Sequence, residues 1–543
     1  MRIRRVEGSF EATPDNKCAI GMHGAVASAF PDATVAGIDA LAQGGNAVDA
    51  ACAVGLALCV CEPQASGLGG QSTGLLHFRG KTTAIDGSSR VPSLAHRSRV
   101  RPRDCRIGYR AATVPSTPAT YAWLHRAYGA LDWSTVVEPA VRLARDGYRI
   151  TELQSRLLVR ELKNFEKLDS RSGARYFLKK GKRPFAAGDL FRQPELANVL
   201  EVVAQQGVEA FYQGEIAVQI DADMRANDGF MRADDLALIP WPIERRPLTR
   251  RYRKLLVKTM PPPGSGRTLL LVLMILNCLD SKFLGQRTPG RFHFVAEALR
   301  KAFLQRLDRP FDPATYPQIR EKKMLSREFA RAIALTIAEE MDVDLPLEDP
   351  VGADIGETTH FSVMDGEGNT VSMTQSVEQV YGSKAAADGL GFLYNNYMMA
   401  LELDNPAHPY FLRPNAVPWS AAAPTIVFRD KEPWLALGSP GSERIYSTLG
   451  QFLVRVIDAS DSICKAMIEP RFHCSIGGTL SLEAERFDPT VVEHLRQLGY
   501  KIKKREALAF YHGCVQAVLR RQTAPGFEAV ADVRRDGTAA GLD

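Results

Sequence analysis

Between residues 340 and 357 the amino-acid pattern changes period, and any fold for this chain must join two differently patterned parts through that stretch. From about residue 18 to 340, apolar residues recur at three- and four-residue intervals. This spacing predicts helices from Asn46 onward and over 35–43, 116–128, 136–146, 193–206, 267–279, 291–308 and 326–340. Gly44-Gly45 stops the first helix, and Asn46 caps the next. After Asp354 the period falls to two. Thr359-His-Phe-Ser-Val-Met, a turn at Asp365-Gly-Glu-Gly-Asn369 and Thr370-Val-Ser-Met-Thr-Gln-Ser376 read as a hairpin, with further strands at 425–429 and 434–437. Length alone suggests three or four domains, but a 543-residue chain that is 45% hydrophobic also suffices for one large core built from both parts.

Charge and cysteine usage exclude several classes. A net charge of +6 on 543 residues is too small to make nucleic acid the main partner. The basic clusters at 245–254 and 320–327 lack regular aromatic spacing and read as solvated surface. The charged N-terminus runs into Ser9, Glu11 and Asp15 instead of the apolar stretch of an export signal, and the longest apolar run, 269–278, is too short to span a bilayer. Nine Cys, an odd number with three in one apolar segment, predict reduced thiols and a cytoplasmic protein, with Cys59 and Cys61 serving core packing, not metal binding. The sequence contains no P-loop, no dinucleotide fingerprint after a strand and no H-E-x-x-H, so no cofactor is expected.

Two segments offer a nucleophile. Gly70-Gln-Ser72-Thr-Gly74 matches the G-x-S-x-G elbow of α/β hydrolases, but that elbow needs a strand before the serine and a helix after it. Here the helical run precedes Ser72 and a strand follows, so the serine reading is set aside. The other segment, Gly356-Glu-Thr358-Thr-His360, stands where the pattern changes. A threonine hydroxyl needs a base. A cut before Thr358 would free an α-amine within a few Å of its own Oγ, with a pKa of about 7.7–8.0 suited to that role. Taken alone, Thr-Thr-His is ordinary β-branched strand chemistry.

Seven segments in series carry a resemblance to the gamma-glutamyltranspeptidase family of N-terminal nucleophile hydrolases. They are Gly44-Gly-Asn-Ala-Val-Asp-Ala-Ala, Glu62-Pro-Gln-Ala-Ser-Gly-Leu-Gly-Gly, Gly207-Val-Glu-Ala-Phe-Tyr-Gln-Gly-Glu-Ile-Ala, Met260-Pro-Pro-Pro-Gly-Ser-Gly, Thr358-Thr-His-Phe-Ser-Val with Gly368-Asn369, Pro424-Thr-Ile-Val and Gly438-Ser-Pro-Gly. The resemblance implies an α+β fold, the four-layer αββα sandwich, made as a precursor that cuts itself between Glu357 and Thr358. Residues 1–357 would form the large, helix-rich subunit and 358–543 the small, sheet-rich one, together one catalytic domain. By the same resemblance Thr358 is the nucleophile, and Ser376 stands where the family has a threonine whose hydroxyl bonds the nucleophile. The N–H groups of Gly441 and Ser442 fall where the family builds its oxyanion hole.

The substrate positions depart from the family pattern. Ser88 stands where the family has a carboxylate-gripping arginine, leaving Arg90 as a displaced candidate. Glu378 replaces an Asn, Tyr397 a Gln and Ala400 an Asp, and a Ser-Ser pair becomes Ser420-Ala421. Losing both the arginine fork and the ammonium-binding carboxylate removes what would recognise the amino-acid end of a γ-glutamyl group. The expectation is an acyl-threonine hydrolase or acyltransferase acting on a small-molecule amide or acyl substrate, with water or an amine as acceptor and an altered acyl pocket. It would be a heterodimer of its own two fragments, with further pairing of such heterodimers left open. The alternatives are an ordinary gamma-glutamyltransferase or glutathione hydrolase, a biosynthetic homologue that cleaves a C–C bond to release an oxalyl-type fragment, and a non-catalytic descendant acting as a binding subunit.

Overall fold

The computed structural model describes residues 16–307, 321–340 and 356–543. The N-terminal charged segment, Arg320 and most of the stretch in which the pattern changes lie outside the described residues.

Two seven-stranded sheets form the middle of the molecule. One runs Thr538–Leu542, Gly24–Ser28, Gly356–Asp365, Thr370–Gln379, Gln71–Phe78, Lys81–Gly87, Ile243–Arg245. The other runs Cys18–Gly21, Phe527–Ala531, Gln516–Arg520, Glu432–Gly438, Thr425–Arg429, Leu255–Thr259, Leu248–Tyr252. All strand pairs in both are antiparallel.

Side-chain alternation assigns each sheet two faces. On the central hairpin Phe361, Val363, Val371 and Met373 join a core cluster with the helices Pro31–Ala42, Ala47–Cys61 and Trp133–Asp146. The intervening residues face the other sheet: Ser362 Oγ donates to the Gln516 carbonyl at 3.1 Å and Ser372 Oγ to the Leu437 carbonyl at 3.0 Å. Small residues such as Ala25, Ala27, Ala436, Ala529 and Ala531 fill the space between sheets. On the far side Val257, Leu435, Leu437 and Ala517 pack under the helices Gly266–Leu276, Pro289–Leu307 and Ile445–Ile457. Helix, sheet, sheet, helix is the αββα sandwich expected from the resemblance.

Ala47–Cys61 shows how the local sequence fixes one layer. The Asn46 side chain accepts from the N–H groups of Val48 and Asp49, and Asp49 returns a bond to the Asn46 N–H, a complete capping box. Every residue of this helix is buried, Cys52, Cys59 and Cys61 included, because Ala, Val, Leu, Gly and Cys occupy all its faces except for the capping Asp49. At Gly55 a Cβ would strike the Tyr121 ring. Its absence lets the Tyr121 hydroxyl reach Gln375, whose amide donates to the Gly55 carbonyl at 3.0 Å, so helix and central strand are locked together.

Three expectations are corrected. Seven of the fourteen strands in the two sheets come from the part before residue 340, where only the strand after Ser72 is expected; 18–28 and 243–259 also pair into the sheets. At 18–28 short strands of Ala, Gly and Ser carry too weak an alternation to register as β. The thiols are not all reduced: Cys18 and Cys464 are paired with a Cα–Cα distance of 6.4 Å across 446 residues of sequence, a proximity created only by the fold. The other seven cysteines are free. The basic run at 245–254 is not simply a solvated face, because Arg245 pairs with Asp86 at 2.9 Å and Arg253 with Asp458 at 2.8 Å.

Candidate active site

Thr358 is the third residue of Gly356–Asp365, in the interior of its sheet, and is 7% exposed. The pairing register shifts beside it: Glu357 lies opposite Glu378 but Thr359 opposite Gln375, so Ser376 and Val377 together face Thr358. This bulge brings Ser376 under the peptide bond between Glu357 and Thr358. Its Oγ donates to the Glu357 carbonyl at 2.7 Å, accepts from the Glu378 N–H at 2.7 Å and accepts from Thr358 Oγ at 3.4 Å. The Thr358 hydroxyl and the carbonyl preceding it are held by the same atom.

Glu357 is fully buried. Its carboxyl pairs with Arg535 and accepts from the Thr358 N–H at 3.2 Å. Burial pushes this carboxyl upward, and the guanidinium opposes the shift. Arg535 is itself anchored. Its ring partner Phe510 lies 4.2 Å from the guanidinium, and its neighbour Arg534 binds Glu483 at 2.7 Å and Asp532 at 3.1 Å with no exposure on any of the three. The C-terminal segment therefore fixes the residue before Thr358. Sequence reading missed Arg535, for which Arg534-Arg535 between two Asp was the only signal.

His360 is not a base for Thr358. Burial lowers its pKa to about 3, and its ring nitrogens contact Thr374 Oγ1 at 2.8 Å and Ser362 Oγ at 3.1 Å. Its ring lies against Gly438, where a Cβ would collide with it. Ser72, the alternative nucleophile, is fully buried in the strand Gln71–Phe78, with its Oγ 3.0 Å from Thr117 Oγ1.

Beyond Gly438 the chain turns through Gly441, φ +125°, and Ser442, φ +52°, into the helix Ile445–Ile457. A Cβ on Gly356 would sit 2.8 Å from the Ser442 Cβ, so this turn packs directly against the strand carrying Thr358. Ser442, Thr358, Ser376, Glu378, Tyr397 and Ser420 line one cleft together with Gln71, Thr73, Thr374, Gln375, Ala421 and Ala422.

Glu378 and Tyr397, both departures from the family pattern, interact with each other. Burial lifts Glu378 to about 7; a hydrogen bond from Tyr397 opposes this and the Glu443 carboxylate adds to it. The buried Tyr397 hydroxyl also interacts with Ser376 and Gln71. Ser88 and Arg90 do not line the cleft. Ser88 Oγ donates to Asp86 at 2.6 Å, the other Asp86 oxygen takes Arg245, and Arg90 bridges to Val114 through its backbone. Among the described residues no group of three or more His, Cys, Asp or Glu is placed to hold a metal ion, and no helix is long and apolar enough to cross a membrane.

The family model for gamma-glutamyltranspeptidase matches residues 33–542. The chain belongs to the gamma-glutamyltranspeptidase family. A glutathione hydrolase proenzyme of Escherichia coli (strain K12) is 32% identical over 525 residues, covering 91% of this chain and 88% of that protein. An acylase ACY 1 proenzyme of Pseudomonas sp. (strain V22) is 31% identical, covering 92% and 90%. Among solved structures, cephalosporin acylase from Bacillus halodurans superposes with a TM-score of 0.89 at 25% identity, covering 99% of this chain and all of that one. The chain is thus an enzyme of the gamma-glutamyltranspeptidase family with the family's N-terminal nucleophile hydrolase fold.

Proposed function

We propose that this gamma-glutamyltranspeptidase-family enzyme is a self-cutting N-terminal threonine hydrolase or acyltransferase whose acyl pocket is altered from the γ-glutamyl one. The observation that carries the reading is the position of Ser376 Oγ, which holds both the Thr358 hydroxyl and the Glu357 carbonyl. In the first reaction Thr358 Oγ attacks the Glu357 carbonyl carbon, the C–N bond breaks, and the nitrogen takes up the hydroxyl proton. Water then hydrolyses the resulting ester, leaving Glu357 as a carboxylate and Thr358 with a free amine. That amine is the base for the second reaction, in which Oγ takes the acyl group from a small-molecule amide and passes it to water or an amine. Ser442 N–H, with that of Gly441, stabilises the oxyanion in each step. His360, held neutral and bonded elsewhere, takes no part.

Glu378, Tyr397 and Ser420 line the acyl pocket. A carboxyl and a phenol there offer a γ-glutamyl carboxylate no cation, which favours an acylase-like substrate over glutathione. The 32% identity to a glutathione hydrolase keeps that activity as the second reading. The test begins with reducing, denaturing electrophoresis of purified protein. Fragments of about 39 and 20 kDa, at roughly 110 Da per residue, are expected, the smaller beginning Thr-Thr-His-Phe, whereas Thr358→Ala should stay uncut and inactive. An uncut chain that turns over amides would refute the mechanism. On the cut enzyme a γ-glutamyl anilide should be turned over on the order of 10³-fold less well than a preferred acyl amide, two lost charged contacts being involved. Efficient turnover would favour the glutathione hydrolase reading.

A further inference from the structure

Away from Thr358 lies a cavity of about 250 Å³, at the start of the helix Pro289–Leu307 and beside the end of Ile445–Ile457. Five arginines line it: Arg287, Arg291, Arg455, Arg471 and Arg486. Four have carboxylate partners. Arg287 pairs with Glu469, Arg455 with Asp461, Arg471 with Asp532, and Arg486 with Glu483. Arg291 is the exception. It is 4% exposed, its Nε donates to the Leu284 carbonyl at 3.2 Å, its guanidinium lies 4.7 Å from the Phe292 ring, and no carboxylate pairs with it among the described residues. The buried Nη1 of Arg471, on the same cavity, has no hydrogen-bond partner.

A buried cation with no counter-ion is costly, and the structure does not balance this one internally. Burial, together with repulsion from Arg455 and Arg287, pulls the Arg291 pKa down to about 10, and Glu469 only partly opposes this. The other acid on the wall, Asp488, is occupied in capping its own helix through Thr490 N–H and Oγ1 at 2.8 and 2.6 Å. Phe452, Phe487 and Val491 make the remaining wall apolar.

We propose that this cavity is a second ligand site, binding a small organic phosphate: an oxyanion head held by Arg291 and Arg471 near the positive end of the helix, and an apolar body against the phenylalanines. Arginine forks match phosphate oxygens bidentately. The cavity exceeds what an inorganic phosphate alone would fill, which is why the ligand carries a body. The site does not depend on the reading of Thr358.

Phenyl phosphate, inorganic phosphate and phenol serve as probes in calorimetry and thermal unfolding of the full chain. Phenyl phosphate should bind saturably and raise Tm, with inorganic phosphate weaker by roughly tenfold or more and phenol without effect. Arg291→Met keeps length and packing but removes the unbalanced charge. It should unfold at the same or a higher temperature without ligand and lose at least about tenfold in phenyl phosphate affinity. Arg291→Lys, should the Met variant fail to fold, keeps the charge without the fork and should weaken binding several-fold. No binding of phenyl phosphate by the wild type, or binding unchanged in both variants, would overturn the site. Equal affinity for inorganic phosphate would overturn the apolar body and leave a free-phosphate site.

Discussion

At the scale of single residues, Ser376 carries more than its place in the sequence suggests. The resemblance makes it a helper for the nucleophile, and its Oγ also donates to the Glu357 carbonyl at 2.7 Å. Ser376→Ala removes a hydroxyl donor from that oxygen and should slow self-cleavage by about 10²-fold, as loss of an oxyanion donor does. A time course of fragment appearance measures it. Glu378 gives a pH signature. Its carboxyl is raised from 4.5 to about 7 by burial, so the folded state tolerates its neutral form better than its anion. The stability this position contributes is whole at low pH and is lost as pH rises through about 7. Glu378→Gln should therefore come near the wild-type Tm at pH 4 and exceed it at pH 8.5. The reverse order would show the anion to be stabilised in the fold. Arg90 illustrates the limit of residue-by-residue reasoning: two positions from Ser88 in sequence, it is carried to a bridge with Val114 outside the cleft.

At the scale of elements, the hairpin 356–379 was readable from its alternation and its Gly-Asn turn, and the strands observed there extend the expected ones by a few residues. The bulge opposite Thr358 was not readable. Nothing in Ser376-Val-Glu378 announces that two residues will face one, because a bulge is decided by which partner residues pair on either side. Gly438 was part of a recognised motif, and its physical reason is clearance for the His360 ring. Gly438→Ala should force that ring or its strand to move, costing about 1–3 kcal/mol. A lowered denaturant midpoint with slower self-cleavage checks it, and an unchanged midpoint would show the contact to be soft.

At the scale of the whole molecule, the cut between 357 and 358 would not separate two bodies. The strand Gly356–Asp365 pairs with Gly24–Ser28, and Thr370–Gln379 pairs with Gln71–Phe78, so each fragment supplies strands to the same sheet. The two fragments should therefore co-elute in native size-exclusion chromatography and part only on denaturation with reductant. Cys18 and Cys464 fall on opposite sides of the cut. A denaturing gel run without reductant should show the fragments joined, and with reductant separate. Separation in both lanes would show the pair to be open in the protein as made.

The sequence by itself determined the helices and strands with strong periodicity, the family, and the identity of the residues at Thr358, Ser376, Gly441 and Ser442, because these depend on local pattern or on short motifs in a fixed order. Only the tertiary structure decided that the weakly patterned Ala- and Gly-rich stretches at 18–28 become strands, that Arg535 reaches Glu357 across 178 residues, and that Glu378 and Tyr397 face each other while Ser88 and Arg90 turn away. Burial and long-range pairing arise from what the rest of the chain places alongside each residue, which no local window of the sequence contains.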